Sequence, residues 1–350
     1  MKAQVLHEYD PSLTAPSWVK LEDVPDPVIE KSTDVIVRIG GAGVCRTDLH
    51  IIEGIWKPHM DPSGHGLLPF IMGHENAGWV EDVGPEVEGF KVGDPVIVHP
   101  KISSGTCLAC RRGHDMHADG KFPGLDSNGG YAEFLGTSSR NLVALPRTLA
   151  PKDVAPYSDA GLTAYRACKK AAQQLLPDQS VVVIGAGGLG HIGVQVLRAM
   201  CAARIIVIDL SDAALELAGK GGADHLVKAD GGEVEAVLSL TGGKGAEAVI
   251  DFVGEKGTTH RGLAMTRPMG SYYVVGYGED LKVPTVDLII SEKNIIGNLV
   301  GTWAELVELM SLADRGLVEL HTRYYGLDDA NKALRDLHEG RVSGRAVLVP

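Results

Sequence analysis

Residues 181–184 read Val-Val-Val-Ile and run straight into Gly185-Ala186-Gly187-Gly188-Leu189-Gly190, and a second β-rich run at 204–208 ends on Asp209. Strand, glycine turn, helix, second strand and terminal acid in that order strongly constrain the fold, because each glycine answers a separate steric demand. Gly185 permits the tight turn, Gly187 lets backbone approach a pyrophosphate, and Gly190 lets helix and strand pack closely. The turn, with Gly188 and Leu189 in it, opens a helix whose first N–H groups and positive dipole end suit phosphate. Asp209 would accept hydrogen bonds from adenosine ribose hydroxyls and repel a 2′-phosphate, so NAD is expected over NADP. The glycines alone would also suit a turn that binds no nucleotide, and residues 210–214 carry no cation to hold the ribose from the other side.

The alternation continues on both sides of this motif. Helical stretches are predicted at 163–176 and 189–201, and β-like runs at 248–252, 271–275 and 295–299, the rhythm of a doubly wound parallel sheet. Upstream, short β-rich runs at 34–40, 78–83, 95–99, 131–135 and 141–145 are punctuated by glycine and proline. They indicate a small, mostly antiparallel β-domain. A chain of 350 residues has room for both domains. After residue 301 come two amphipathic helical segments and a closing strand at 345–349, which pattern alone does not place.

A net charge of −12 removes support for a nucleic-acid-binding face. No basic segment followed by an apolar run opens the sequence, and the most apolar stretch, 181–197, is broken by glycines, His191 and Gln195, so neither a signal peptide nor a membrane span is expected. Five cysteines in such a chain point to metal ligation or burial rather than a disulfide framework, and a cytoplasmic location is expected.

Two clusters in the β-rich part carry donor atoms. One is Gly43-Val44-Cys45-Arg46-Thr47-Asp48-Leu49-His50; the other is Gly73-His74-Glu75-Asn76-Ala77-Gly78, continuing to Gly84 and Val87. Thiolate, imidazole and carboxylate are zinc donors, and a catalytic zinc needs three protein ligands and an open position. Taken singly, Cys45 also reads as a small core residue and His74 as a loop residue. Together they resemble the zinc-dependent alcohol dehydrogenases of the medium-chain dehydrogenase/reductase superfamily, whose G-H-E-x-x-G-x-x-x-x-x-G-x-x-V pattern is met in full.

The resemblance implies an α/β fold: a GroES-like β-rich catalytic domain (1–157), an NAD-binding Rossmann domain (158–297), and a segment returning to the catalytic domain (298–350). It implies a catalytic zinc on Cys45, His74 and Asp159, with Glu75 as a neighbour or exchangeable ligand; Asp159 also suits a helix N-cap. A second, structural zinc in this family takes four cysteines. Cys107 and Cys110 match two of them, Ser104 and Ala118 stand at the other two, and His114, Asp115 or His117 are the substitutes to hand. The same resemblance makes Thr47 and His50 a proton relay through a cofactor ribose hydroxyl, with His50 titrating near neutral pH. It sets Thr163 by the nicotinamide, backbone at Val275 and Leu299 on its carboxamide, and Arg345 at the pyrophosphate.

Trp56, Phe122 and Leu299 are apolar candidates for a substrate pocket, with residues 56–68 as its rim, although all three also suit core packing. They favour medium-sized hydrophobic or aryl alcohols and the matching aldehydes or ketones. A polyol dehydrogenase and a non-catalytic NAD-binding protein are the alternatives. A homotetramer, or a dimer, is the assembly that the resemblance implies.

Overall fold

The computed structural model describes residues 1–61 and 66–350, which divide into two compact units. One comprises Gly161–Gly301 with Arg315–Glu319, and the other Met1–Ala160, Thr302–Asp314 and Leu320–Pro350.

The first of these units is built on six parallel strands in the spatial order His225–Lys228, Arg204–Asp209, Ser180–Ile184, Ala246–Asp251, Thr266–Val274, Asn294–Gly297. Ser180–Ile184 lies at the middle and is buried throughout, which is why Val181 to Ile184 form an unbroken β-branched run rather than an alternating one. Helix Gly190–Met200 follows it directly; a Cβ at Gly190 would run into the carbonyl oxygen of Gly185. Strand His225–Lys228 was not legible in the sequence: it lies at the sheet edge with only Val227 buried, so no hydrophobic pattern marks it. The other edge, Asn294–Gly297, pairs on one side only. Nearby in sequence, helix Thr285–Ser291 buries none of its residues.

The other unit is organised around one long strand, Asp34–Val44. It pairs antiparallel with Glu75–Val83, Phe134–Ser138 and Arg345–Val349. The closing strand that pattern could not place therefore inserts here, antiparallel to Asp34–Val44 and parallel to Thr322–Gly326. The strand expected at 131–135 forms instead at Phe134–Ser138. Tyr131 is wholly buried and its N–H is bonded to the Met72 carbonyl, which pulls the backbone off the ladder until Phe134 comes opposite Arg38.

Arg345, at the start of the closing strand, is 3% exposed and its guanidinium is paired with the fully buried Glu75 carboxylate, 270 residues away in sequence. Removing one partner of a buried pair leaves an uncompensated charge. Arg345→Met is expected to lower stability by about 3–5 kcal/mol, and Glu75→Gln combined with Arg345→Met to recover a large part of that loss, as read from urea denaturation.

Candidate active site

Four ligand side chains converge in the β-rich unit. Cys45 follows the long strand, His74 precedes and Glu75 begins its neighbour, and Asp159 precedes helix Ala160–Ala172. Their donor atoms all lie within 4.8 Å of one another, and all four residues are buried. Asp159 does not cap the helix: its Oδ1 has no hydrogen-bond partner, and the N–H of Ala160 donates instead to Glu75 Oε1 at 3.1 Å.

The imidazole of His74 lies between two carboxylates. Its Nδ1 is 3.3 Å from Asp48 Oδ1 and its Nε2 is 3.4 Å from Asp159 Oδ2, yet neither contact has hydrogen-bond geometry. Buried polar atoms left unpaired in this way are costly. Burial works to lower the His74 pKa, and the Asp48 and Asp159 carboxylates outweigh it and hold it well above the usual value. A thiol, an imidazole and carboxylates with unpaired atoms aimed at one point form a donor set that fits a zinc ion.

Asp48 organises this set from behind. Its Oδ2 accepts from the Cys45 N–H at 2.8 Å and from the Tyr131 hydroxyl at 2.8 Å, while its other oxygen faces His74. A carboxylate so placed is the partner to which a ligand imidazole donates its second N–H when its tautomer and ring plane are fixed. Asp48 lies in a segment singled out by sequence but without a role there, and Tyr131 carries no local signal.

In the nucleotide-binding unit Gly185 adopts φ +87° and its N–H donates to the Ile208 carbonyl at 2.8 Å. Beyond it, Gly187 is exposed with open space where a Cβ would stand. The half-buried Asp209 accepts from the N–H groups of Ala186 at 2.6 Å and Ser211 at 2.7 Å, which fixes its carboxylate at the strand end. A cleft of about 230 Å³ opens there, lined by Gly185, Asp209 and Leu210 and also by Lys256 and Arg261. Cations missing from 210–214 thus reach the cleft from a distant loop and helix, and Arg261 is neutralised by Glu233 at 2.7 Å. Gly188 and Leu189 complete the turn; Thr163 and Val275 are half-buried and Leu299 is 45% exposed in this same unit.

Comparison with known proteins agrees with this geometry. Residues 31–147 match the alcohol dehydrogenase GroES-like domain and residues 188–315 the zinc-binding dehydrogenase family. An alcohol dehydrogenase from the hyperthermophilic archaeon Aeropyrum pernix is 45% identical, with a TM-score of 0.94 and full coverage of both chains. An NAD-dependent alcohol dehydrogenase of Sulfurisphaera tokodaii is 37% identical over 95% of this chain and 96% of its own length. The chain belongs to the zinc-dependent alcohol dehydrogenase family. A further relative of this alcohol dehydrogenase family, D-arabinose 1-dehydrogenase (NADP(+)) of Saccharolobus solfataricus, is 34% identical over all of this chain and 97% of its own length.

Against the family expectations, two residues behave differently. Arg345 is engaged with Glu75 instead of extending toward a pyrophosphate, because its strand buries it in the β-rich unit. His50 does not titrate near neutrality: burial, then the Arg46 guanidinium, lowers its pKa to about 4. Arg46 Nε lies 3.3 Å from His50 Nε2, a contact that sequence reasoning missed. Thr47 is half-buried on the same helix, Arg46–Glu53. Phe122 and Trp56 both pack against the hydrophobic core; Phe122 also stands edge-on to His74 with ring centroids 6.4 Å apart, and Trp56 to His59. Part of the proposed rim, 62–65, lies outside the described residues. In the lobe, Cys107 and Cys110 meet, but His114 and His117 are exposed and Asp115 is paired with Arg140.

Two outcomes are expected. Asp48→Asn lowers zinc affinity by roughly 10–100-fold, measured by competition with a chromogenic chelator, with circular dichroism unchanged; Tyr131→Phe produces a smaller loss in the same direction. For His50, the unfolded chain takes up a proton near the ordinary value of 6.5, and the folded chain only near 4. The folded state binds fewer protons across that window, so stability falls as pH drops through it. The decrease in urea midpoint between pH 7 and pH 5 is expected to be smaller in His50→Gln than in wild type.

Proposed function

We propose that this chain transfers hydride between NAD(H) and an alcohol/carbonyl pair, with medium-sized hydrophobic or aryl alcohols as substrates. The observation that carries the reading is the convergence of Cys45, His74 and Asp159, with unpaired buried atoms, beside an aromatic wall at Phe122. A zinc ion there supplies Lewis-acid polarisation of the substrate oxygen, and NAD(H) carries the hydride. The chain's own groups supply the rest. Cys45, His74 and Asp159 would hold the ion, with Glu75 and its Arg345 counter-charge next to them. Asp48 and Tyr131 keep His74 in one ring orientation. Thr47 and His50 stand on one helix as the proposed path for the alcohol's proton; with its pKa lowered to about 4 by burial and by Arg46, His50 is a weak base that passes a proton on rather than retaining it. Gly185, Gly187 and Gly190 admit the dinucleotide, and Asp209 favours NAD by repelling a 2′-phosphate.

The D-arabinose dehydrogenase relative favours a second reading, oxidation of sugars or polyols on the same scaffold. Assembly as a homotetramer, or a dimer, is supported by the open edge at Asn294–Gly297 and by exposed Ile289 and Ile290 on helix Thr285–Ser291. For a cytoplasmic protein the supporting observations are that all five cysteines are free and that no helix among the described residues is long and apolar enough to cross a membrane.

Metal content and NADH formation, measured on wild type and Cys45→Ser with 1-phenylethanol and with D-arabinose, test the proposal. Zinc and turnover of 1-phenylethanol are expected in wild type, and both are lost in the variant. Preference for D-arabinose would transfer the assignment to the sugar reading; turnover without zinc would refute the mechanism.

A further inference from the structure

Cys107 and Cys110 take no part in the site above, yet their Sγ atoms lie 3.3 Å apart. The C-x-x-C spacing and the turn that starts helix Leu108–Arg111 bring them together, with the Cys110 N–H directed at Cys107 Sγ. Closing a disulfide, with its S–S bond of about 2.0 Å, needs a movement of only about an ångström. A closed zinc site needs four donors. Among the described residues no third His, Cys, Asp or Glu joins this pair in a metal-binding group, and the nearby Asp115 is held by Arg140 at 3.0 Å.

The pair is also reachable. Cys110 is 5% exposed but lines a cavity of about 620 Å³, with Ser103, Asp115 and Arg140 beside it and Phe90 and Trp303 on the walls. Small oxidants can therefore meet its sulfur without unfolding. Burial raises the Cys110 pKa, but the hydrogen bonds of Ser103, Cys107 and Gly105 and the charge of Arg140 outweigh it and hold the thiol below its usual value, which increases the share of the reactive thiolate.

We propose that Cys107 and Cys110 form a redox-active dithiol, oxidised by a small hydroperoxide to an intramolecular disulfide and restored by a dithiol reductant. Cys110 thiolate attacks the terminal peroxide oxygen; the O–O bond breaks, the other oxygen leaves with a proton from solvent as water, or as an alcohol where the oxidant is an organic hydroperoxide, and Cys110 becomes a sulfenic acid. Cys107 sulfur then attacks Cys110 sulfur; the S–S bond forms, the S–O bond breaks and water leaves with the Cys107 proton. The two thiols lose two electrons and the peroxide gains them. In the return step an external dithiol becomes the disulfide.

The test is hydrogen peroxide in modest excess on the zinc-loaded protein, followed by iodoacetamide, digestion and mass spectrometry. The expected result is a peptide that has lost two hydrogens and links Cys107 to Cys110, reversed by dithiothreitol. In Cys107→Ser the same treatment is expected to leave Cys110 trapped by dimedone. Full alkylation of both cysteines under conditions that oxidise the half-buried Cys201 would overturn the proposal. So would two zinc ions per chain with both thiols shielded until a chelator is added. Peptide-level readout keeps these outcomes separate from oxidation at Cys45, so the result does not depend on the reaction assigned to the zinc site.

Discussion

Three carboxylates, Asp48, Glu75 and Asp159, are buried beside a single guanidinium, Arg345, and a single imidazole, His74. Burying charge is tolerable only where partners or a cation compensate it. The β-rich unit is arranged to meet that constraint. The long strand delivers Cys45, its neighbour delivers His74 and Glu75, the segment before helix Ala160–Ala172 delivers Asp159, and the closing strand delivers a compensating guanidinium. What remains unpaired on His74 and Asp159 belongs to the cluster of donor atoms, so the protein's unmet electrostatic demand and its chemical capability coincide there.

The nucleotide-binding unit solves its problem by the opposite means. It uses few side chains: glycines give the turn its shape, and one acid at a strand end is fixed by two backbone N–H donors. A site made of backbone and absent side chains leaves a dense mark in sequence, since each glycine has a steric reason.

This difference explains what was legible. Val181 to Asp209 could be read as strand, turn, helix and strand, and the structure places Ser180–Ile184, Gly190–Met200 and Arg204–Asp209 there. Cys45, His74 and Asp159 were visible because donor types and a family spacing mark them. Tyr131 was not, because it acts through Asp48 and is joined to it only by the fold. Arg345 was misplaced for a related reason: an arginine late in the chain reads as a phosphate contact until the strand pairing shows which way it is buried. The low pKa of His50 was equally hidden, since burial and the nearness of Arg46 set it rather than residue type.

The closing strand has a consequence for biosynthesis. Asp34–Val44 is made early, but its partner Arg345–Val349 lies far downstream, and so does the cation that neutralises Glu75. The nucleotide-binding unit, by contrast, has all six of its strands by Gly297. On the ribosome that unit can therefore fold while the metal-binding sheet is still incomplete, with Ala42 to Val44 open on the side that the closing strand will take and an acidic cluster lacking its arginine. Maturation of the metal centre is thereby deferred to the last stage of chain synthesis.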